Sequence, residues 1–400
     1  MGTGQGHRSG RGHQKHGGGC LERRHARIRL ASLGTTGREE RTVIGFGRDR
    51  AAGPVRLGAT RRAMARAERL RARGHQDQAL TVLEELLAHG VDNPVADALV
   101  RLDRAAVLLE LDRPEQALTG FDELLARHDP GSLEPGELYI VAFSAGFERA
   151  ELLAGLGQFS EALAGFARLI ELDTRHHVGA LVDVLWAAKL RHAAMLGALG
   201  HPDQALTAYR EVLEHPRGVF DRGPEPEHLI LAGLDAATLL AELGRPRQAL
   251  ETYDQLLAEH GGDRAENWQL ALARMRRGGL LAALGRTAEA VTGYQELLTR
   301  HDDVLTPRAR HPGLIDSQRR QVVLETALAL GDLFAEHDRV EEALATYATI
   351  PNSHAGAPAD WLRELAATAL RRSSDLLEGL GRHRDALDAL DRADKLLLPS

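Results

Sequence analysis

Nineteen histidines, one cysteine and 57 carboxylates are the side chains with which this 400-residue chain could do chemistry. Five of the histidines, His89, His128, His215, His260 and His301, each fall ten or eleven residues after an alanine of a recurring motif. Ligands a repeat or more apart on a regular scaffold do not share one metal ion, and a histidine in the last turn of a helix serves the free carbonyls there. His7, His13, His16 and Cys20 lie closer together but without a zinc-finger spacing, and the adjacent His176 and His177 do not point to one place on a helix. A lone cysteine forms no internal disulfide and fits a reducing compartment. No phosphate loop of the G-x-x-x-x-G-K-[ST] kind occurs, nor an H-E-x-x-H or G-x-S-x-G motif, and the GTGQG start opens neither a strand nor a helix. Carboxylate pairs such as Glu84 with Glu85 and Asp122 with Glu123 read as solvated helix faces. The expectation is a protein that is not an enzyme and holds no metal or cofactor.

The elements that carry these residues repeat. GRPRQALETYDQLLAEH at 244–260 returns as DRPEQALTGFDELLARH at 112–128, GHPDQALTAYREVLEH at 200–215 and GRTAEAVTGYQELLTRH at 285–301. Aligned on the small residue, the copies are marked by Ala79, Ala117, Ala162, Ala205, Ala249, Ala290, Ala343 and Ala386, with spacings of 38, 45, 43, 44, 41, 53 and 43 residues. Positions are given below as offsets from that alanine. At −5 stand six glycines (Gly74, Gly157, Gly200, Gly244, Gly285, Gly381) and two aspartates, Asp112 and Asp338. A glycine directly after an apolar helical run suits a left-handed helix end, and Pro114, Pro202 and Pro246 at −3 suit the first turn of the next helix. At +4 the six inner copies carry Phe121, Phe166, Tyr209, Tyr253, Tyr294 and Tyr347, on the same helix face as the alanine. Rings held at one repeated position predict core packing rather than a stacking surface for bases. The terminal copies have Leu83 and Leu390 there.

Helices are expected at 60–73 with 76–89, 93–111 with 114–128, 136–156 with 159–172, 175–199 with 202–215, 226–243 with 246–260, 265–284 with 287–300, 317–337 with 340–349, and 358–380 with 383–397. Residues 1–58 differ in kind. They hold 14 of the 41 glycines and carry 12 Lys or Arg against 4 Asp or Glu, with no apolar period. They are expected to form a disordered basic tail, and residues 59–398 one helical array. The tail could touch nucleic acid or acidic lipid, but the plainer expectation is a solvated segment and no nucleic-acid partner. Neither a secretory core nor a run of 18 apolar residues occurs, so a cytoplasmic protein outside the membrane is expected.

This pattern resembles the tetratricopeptide repeat family, in a form with long repeats averaging close to 44 residues. The resemblance implies an all-α, right-handed α-solenoid of eight helix–turn–helix units, whose first helices line a groove at offsets −18, −15, −11 and −8. Carried onto this chain, −15 gives an apolar row of Leu102, Phe147, Leu190, Leu234, Met275 and Leu328, while −8 gives mainly small residues from Leu109 to Ala335. A second row at −16 and −13 holds Arg101, Arg104, Arg149, Lys189, His192, Arg274 and Arg277. Either those stems lie between helices and pair with carboxylates, or they form a basic stripe along the groove. The function expected is a scaffold or adaptor that binds a protein or peptide in the groove. Phe147 and Met275 would be anchors, and Arg101, Arg149 and Arg274 would favour acidic partners. The alternative is a ligand- or peptide-sensing regulator that controls a partner's activity.

Overall fold

A computed structural model describes residues 54–176, 178–215, 223–262, 268–305, 314–352 and 360–397. The expected tail lies outside them up to residue 53. Helix α1 (Pro54–Ala72) nevertheless starts earlier than the expected residue 60, with a proline in its first turn where no N–H partner is needed. Every regular element among the described residues is helical, as the repeat predicts.

The chain divides after Met195 into two compact units. The first contains α1, α2 (Gln76–Ala88), α3 (Pro94–Glu110), α4 (Pro114–Arg127), α5 (Glu137–Gly155), α6 (Phe159–His176) and most of α7 (Val182–Ala198). In the second are α8 (Pro202–Leu213), α9 (Pro226–Glu242), α10 (Pro246–His260), α11 (Trp268–Ala283), α12 (Thr287–Arg300), the short α13 (Asp302–Leu305), α14 (Leu314–Glu336), α15 (Val340–Asn352), α16 (Asp360–Gly379) and α17 (His383–Leu397). The fourth copy is thus divided between the units. Its first helix starts later than the expected residue 175, because α6 runs on to His176 and a 3-10 turn at Gly179–Leu181 precedes α7.

The turn between paired helices is the same in all eight copies. The residue at −5 has positive φ, from 70° to 82° at the six glycines. At Asp112 and Asp338 it is 58° and 57°, the only non-glycine residues with positive φ among those described. The next amide then reaches back to the fifth carbonyl before it, as in Arg113 N to Leu108 O at 2.9 Å and Arg339 N to Phe334 O at 2.9 Å. That bond satisfies a carbonyl which the helix end leaves open. Aspartate tolerates the left-handed region better than most side chains, so two copies manage without glycine.

Packing follows the motif. The marker alanines are buried, as are all six rings at +4. A second small position, −12, is Ala67, Ala105, Ala150, Ala193, Ala237, Gly278, Gly331 or Ser374, and at Gly278 and Gly331 the ring of the same copy lies directly over it. The two glycines there are required by space: a Cβ on Gly278 would lie 2.3 Å from the Tyr294 ring, and one on Gly331 2.4 Å from Tyr347. Each copy therefore closes a small residue on its first helix against a small residue and a ring on its second.

Candidate functional site

The expected groove position −15 is largely buried on the first helices. At −15, Leu102, Phe147, Leu190 and Leu234 are buried in the units, while Met275 and Leu328 remain half-buried. Phe147, expected to anchor a ligand, instead packs edge-on against Phe166 with ring centroids 5.8 Å apart. The small −8 row from Leu109 to Ala335 is half-buried beside the outward face. What lies between the core and solvent on these helices is the pair of positions −14 and −11.

The basic row resolves into internal pairing. Arg101 Nε donates to Asp97 Oδ2 at 2.9 Å, and its Nη1 reaches Glu123 at 3.5 Å. Arg104 meets Glu84 at 3.4 Å, Arg149 meets Asp122 at 2.5 Å and Arg277 meets Asp254 at 2.5 Å. Each of these last three joins a first helix at −13 to the second helix of the preceding copy at +5. Arg274 donates to the Gly261 carbonyl at 3.1 Å, and the Lys189 ammonium sits 4.2 Å from the centre of the Trp186 ring. Arg101 and Arg149, expected to draw acidic partners, thus meet carboxylates of the same unit.

Position −11 was among the groove offsets that the family resemblance implied, but position −14, and the polar track that the two make, were missed. In the first unit Arg191 Nε, at −14, lies 2.8 Å from Glu151 Oε1, at −11 of the preceding copy. The same step recurs in the second unit, where Arg276 donates to Thr238 Oγ1 and Arg372 lies 3.0 Å from Asp332 Oδ1. An acceptor at −11 in one copy and an arginine at −14 in the next was legible once the copies were aligned there. In the second unit the core rings join this track. The Tyr253 hydroxyl is 3.2 Å from Thr238 Oγ1, and the Tyr347 hydroxyl donates to Asp332 Oδ1 at 2.5 Å. Burial, and then the hydrogen bond to Asp332, push the Tyr347 hydroxyl upward in pKa.

Two carboxyls of the first unit are less well provided for. Burial raises Asp103 to about 6 against the opposing pull of Arg71, which is 3.8 Å away and closer to Glu110 at 2.8 Å. Glu148, half-buried at −14 on α5, has no hydrogen-bond or ion-pair partner among the described residues. Burial, then repulsion by Glu151, raises it to about 7. A group so placed can take a proton, a cationic side chain or an N–H donor.

The histidines are structural in position. His89 Nδ1 lies 2.6 Å from the Glu85 carbonyl one turn back, while His128 turns instead toward Asp97 at 3.5 Å and His301 is buried. Among the described residues no three His, Cys, Asp or Glu side chains converge as a metal site, and no helix is long and apolar enough to cross a membrane.

Comparison with known proteins agrees with the repeat. One tetratricopeptide repeat family model matches residues 22–131 and a second matches 234–303. No curated protein matches the chain. Among solved structures, a tetratricopeptide repeat protein from Parabacteroides merdae is 15% identical, with a TM-score of 0.48, covering 78% of this chain and 99% of that one. The C-terminal part of a repeat-containing protein from Cytophaga hutchinsonii is 12% identical with a TM-score of 0.48, over 74% and 96% of the two chains. BtubC from P. vanneervenii is 20% identical with a TM-score of 0.46, over 60% and 90%.

Proposed function

Since the chain belongs to the tetratricopeptide repeat family, we propose that it is a non-enzymatic, cytoplasmic adaptor that binds a protein or peptide segment along the outward faces of its first helices. The observation that carries this reading is Glu148. An acid held half-buried and without a partner costs stability, and a cationic or N–H-donating group from a bound segment would offset that cost. The small residue of the neighbouring −8 position on the same helix, Ala154, leaves room for such a segment. A partner of this face therefore carries a basic side chain, the opposite sign to that expected from the arginine row.

Binding of helical peptides that carry an apolar stripe with either lysine or glutamate beside it, followed by fluorescence anisotropy, tests the reading. The lysine series should bind, and more tightly at pH 8 than at pH 6, because Glu148 must shed its proton to meet a cation. Glu148→Gln should weaken that binding by about tenfold and flatten its pH dependence. Equal binding of both series, with an unaltered pH profile in Glu148→Gln, would remove this face from consideration.

A further inference from the structure

Adjacent copies are joined by a rule that can be read at each junction. Where the second helix carries an acid at +5, as at Glu84, Asp122 and Asp254, the next first helix carries arginine at −13 and the two pair. Where +5 is Ala167, Arg210, Gln295 or Ala348, position −13 is His192, Ala236, Leu330 or Ser373, and never arginine. An apolar residue at +1 completes the joint. Leu80, Leu206 and Leu250 there are 6%, 8% and 6% exposed, and Leu250 packs with Leu281, Ala290 and Tyr294 of the copy that follows.

The first and last of the described helices carry the two halves of this joint. On α17 the apolar positions are Leu387, 67% exposed, and Leu390, 37% exposed, with the acid Asp391 at +5. On α1, position −13 is Arg66, exposed and in line with the exposed Arg62, Arg69 and Arg73 at helical spacing. Asp391 bonds only Lys395 on its own exposed face at 2.5 Å, a contact that a firmer partner can replace.

We propose that the α17 face of one molecule receives α1 of a second copy, head to tail, with Leu387 and Leu390 covered and Arg66 paired to Asp391. The charge complementarity selects this occupant over a second α17. The exposed arginine line of α1 would meet the acids Asp388 and Asp391, with Asp394 already held by Arg371 at 3.3 Å, whereas two α17 helices would bring like acids together. A contact between two different surfaces does not close on itself as a two-fold pair does, so it builds open chains or rings.

Sedimentation equilibrium of the full chain at low and high salt tests this. The average mass should rise with protein concentration beyond that of a dimer, and fall at high salt. Arg66→Asp and Asp391→Arg should each weaken association by about tenfold or more, and an equimolar mixture of the two should restore it, since the swapped charges then meet. Leu387→Asp should also abolish association while leaving the melting curve unchanged, because that side chain is exposed in the single molecule. A monomer at all concentrations would overturn the proposal. So would a discrete dimer that Leu387→Asp dissociates but Arg66→Asp does not, which would mean an α17–α17 pair.

Discussion

The two units use the ring position differently. The first unit has phenylalanine at +4, Phe121 and Phe166, whereas the second has tyrosine four times, Tyr209, Tyr253, Tyr294 and Tyr347. All are buried, so the rings fill equivalent space. The hydroxyl is what differs. Tyr253 and Tyr347 carry a polar atom through the core to the −11 track and meet Thr238 and Asp332, which an arginine of the next copy also engages. Those polar groups are satisfied from within the unit. In the first unit no ring hydroxyl joins the track: Glu151 at −11 meets Arg191 alone, and at −14 burial raises Asp103 and Glu148. The ring hydroxyl therefore adds a bond to the track in the two copies whose −11 residue is Thr238 or Asp332.

The largest expected effect tests whether the rings are equivalent. Tyr347→Ala and Phe166→Ala should each cost about 3–5 kcal/mol in urea unfolding, as for a buried aromatic replaced by alanine. A much smaller loss at either would break the comparison at its base.

Next comes the space beneath the ring. Gly331→Ala should destabilise by about 1–3 kcal/mol, although alanine in a helix is worth about 1 kcal/mol more than glycine, because its Cβ would overlap Tyr347. Stabilisation by this change would show that the ring has freedom to move aside.

The hydroxyl itself is smaller. Tyr347→Phe should cost about 1–2 kcal/mol by stripping one donor from Asp332, which keeps Arg372. The reverse change in the first unit, Phe166→Tyr, brings a hydroxyl to a copy whose −11 residue, Glu151, already holds Arg191, and should gain less than that amount. Paired unfolding curves of the two variants would sharpen the contrast, and equal and opposite effects would contradict it.

Smallest is the open carboxyl. With Glu148 at about 7 in the folded chain and near 4.5 when unfolded, the folded state holds a proton that the unfolded state releases between those values. Stability contributed by this group therefore falls as pH rises from about 4.5 to about 7 and stays low above. Glu148→Gln should raise stability by on the order of 1 kcal/mol at pH 8 and by nothing at pH 4, measured by urea midpoints across that range. Asp103, raised from 3.8 to about 6, shifts stability in the same sense over a lower window. A gain independent of pH would mean that Glu148 is solvated and ordinary.

Repetition itself made the fold legible. Eight aligned alanines, the −5 glycines and the first-turn prolines predict helix, turn and helix because each residue type answers a local backbone demand. Even the two exceptions, Asp112 and Asp338, proved to occupy the same left-handed turn. The +4 rings were assigned to the core for a like reason: the ring and the small residue share a face by helical arithmetic alone.

Rotation of the first helices is where local reasoning ended. A helix with apolar residues at −15 and charged ones at −14 can present either row outward by a small turn about its axis, and the sequence fixes no zero for that angle. Packing decided it, because the small −12 residues lie against the second helix, directly under its ring at Gly278 and Gly331. That contact carries Leu102, Phe147, Leu190 and Leu234 inward and brings Asp103, Glu148 and Arg191 to the surface. The sequence by itself determined the eight copies, their turns and their interior rings, through demands that each copy meets alone. Which charges are consumed between copies, and which face outward to meet a partner, depended on distances between helices far apart in the chain, and only the tertiary structure supplies those.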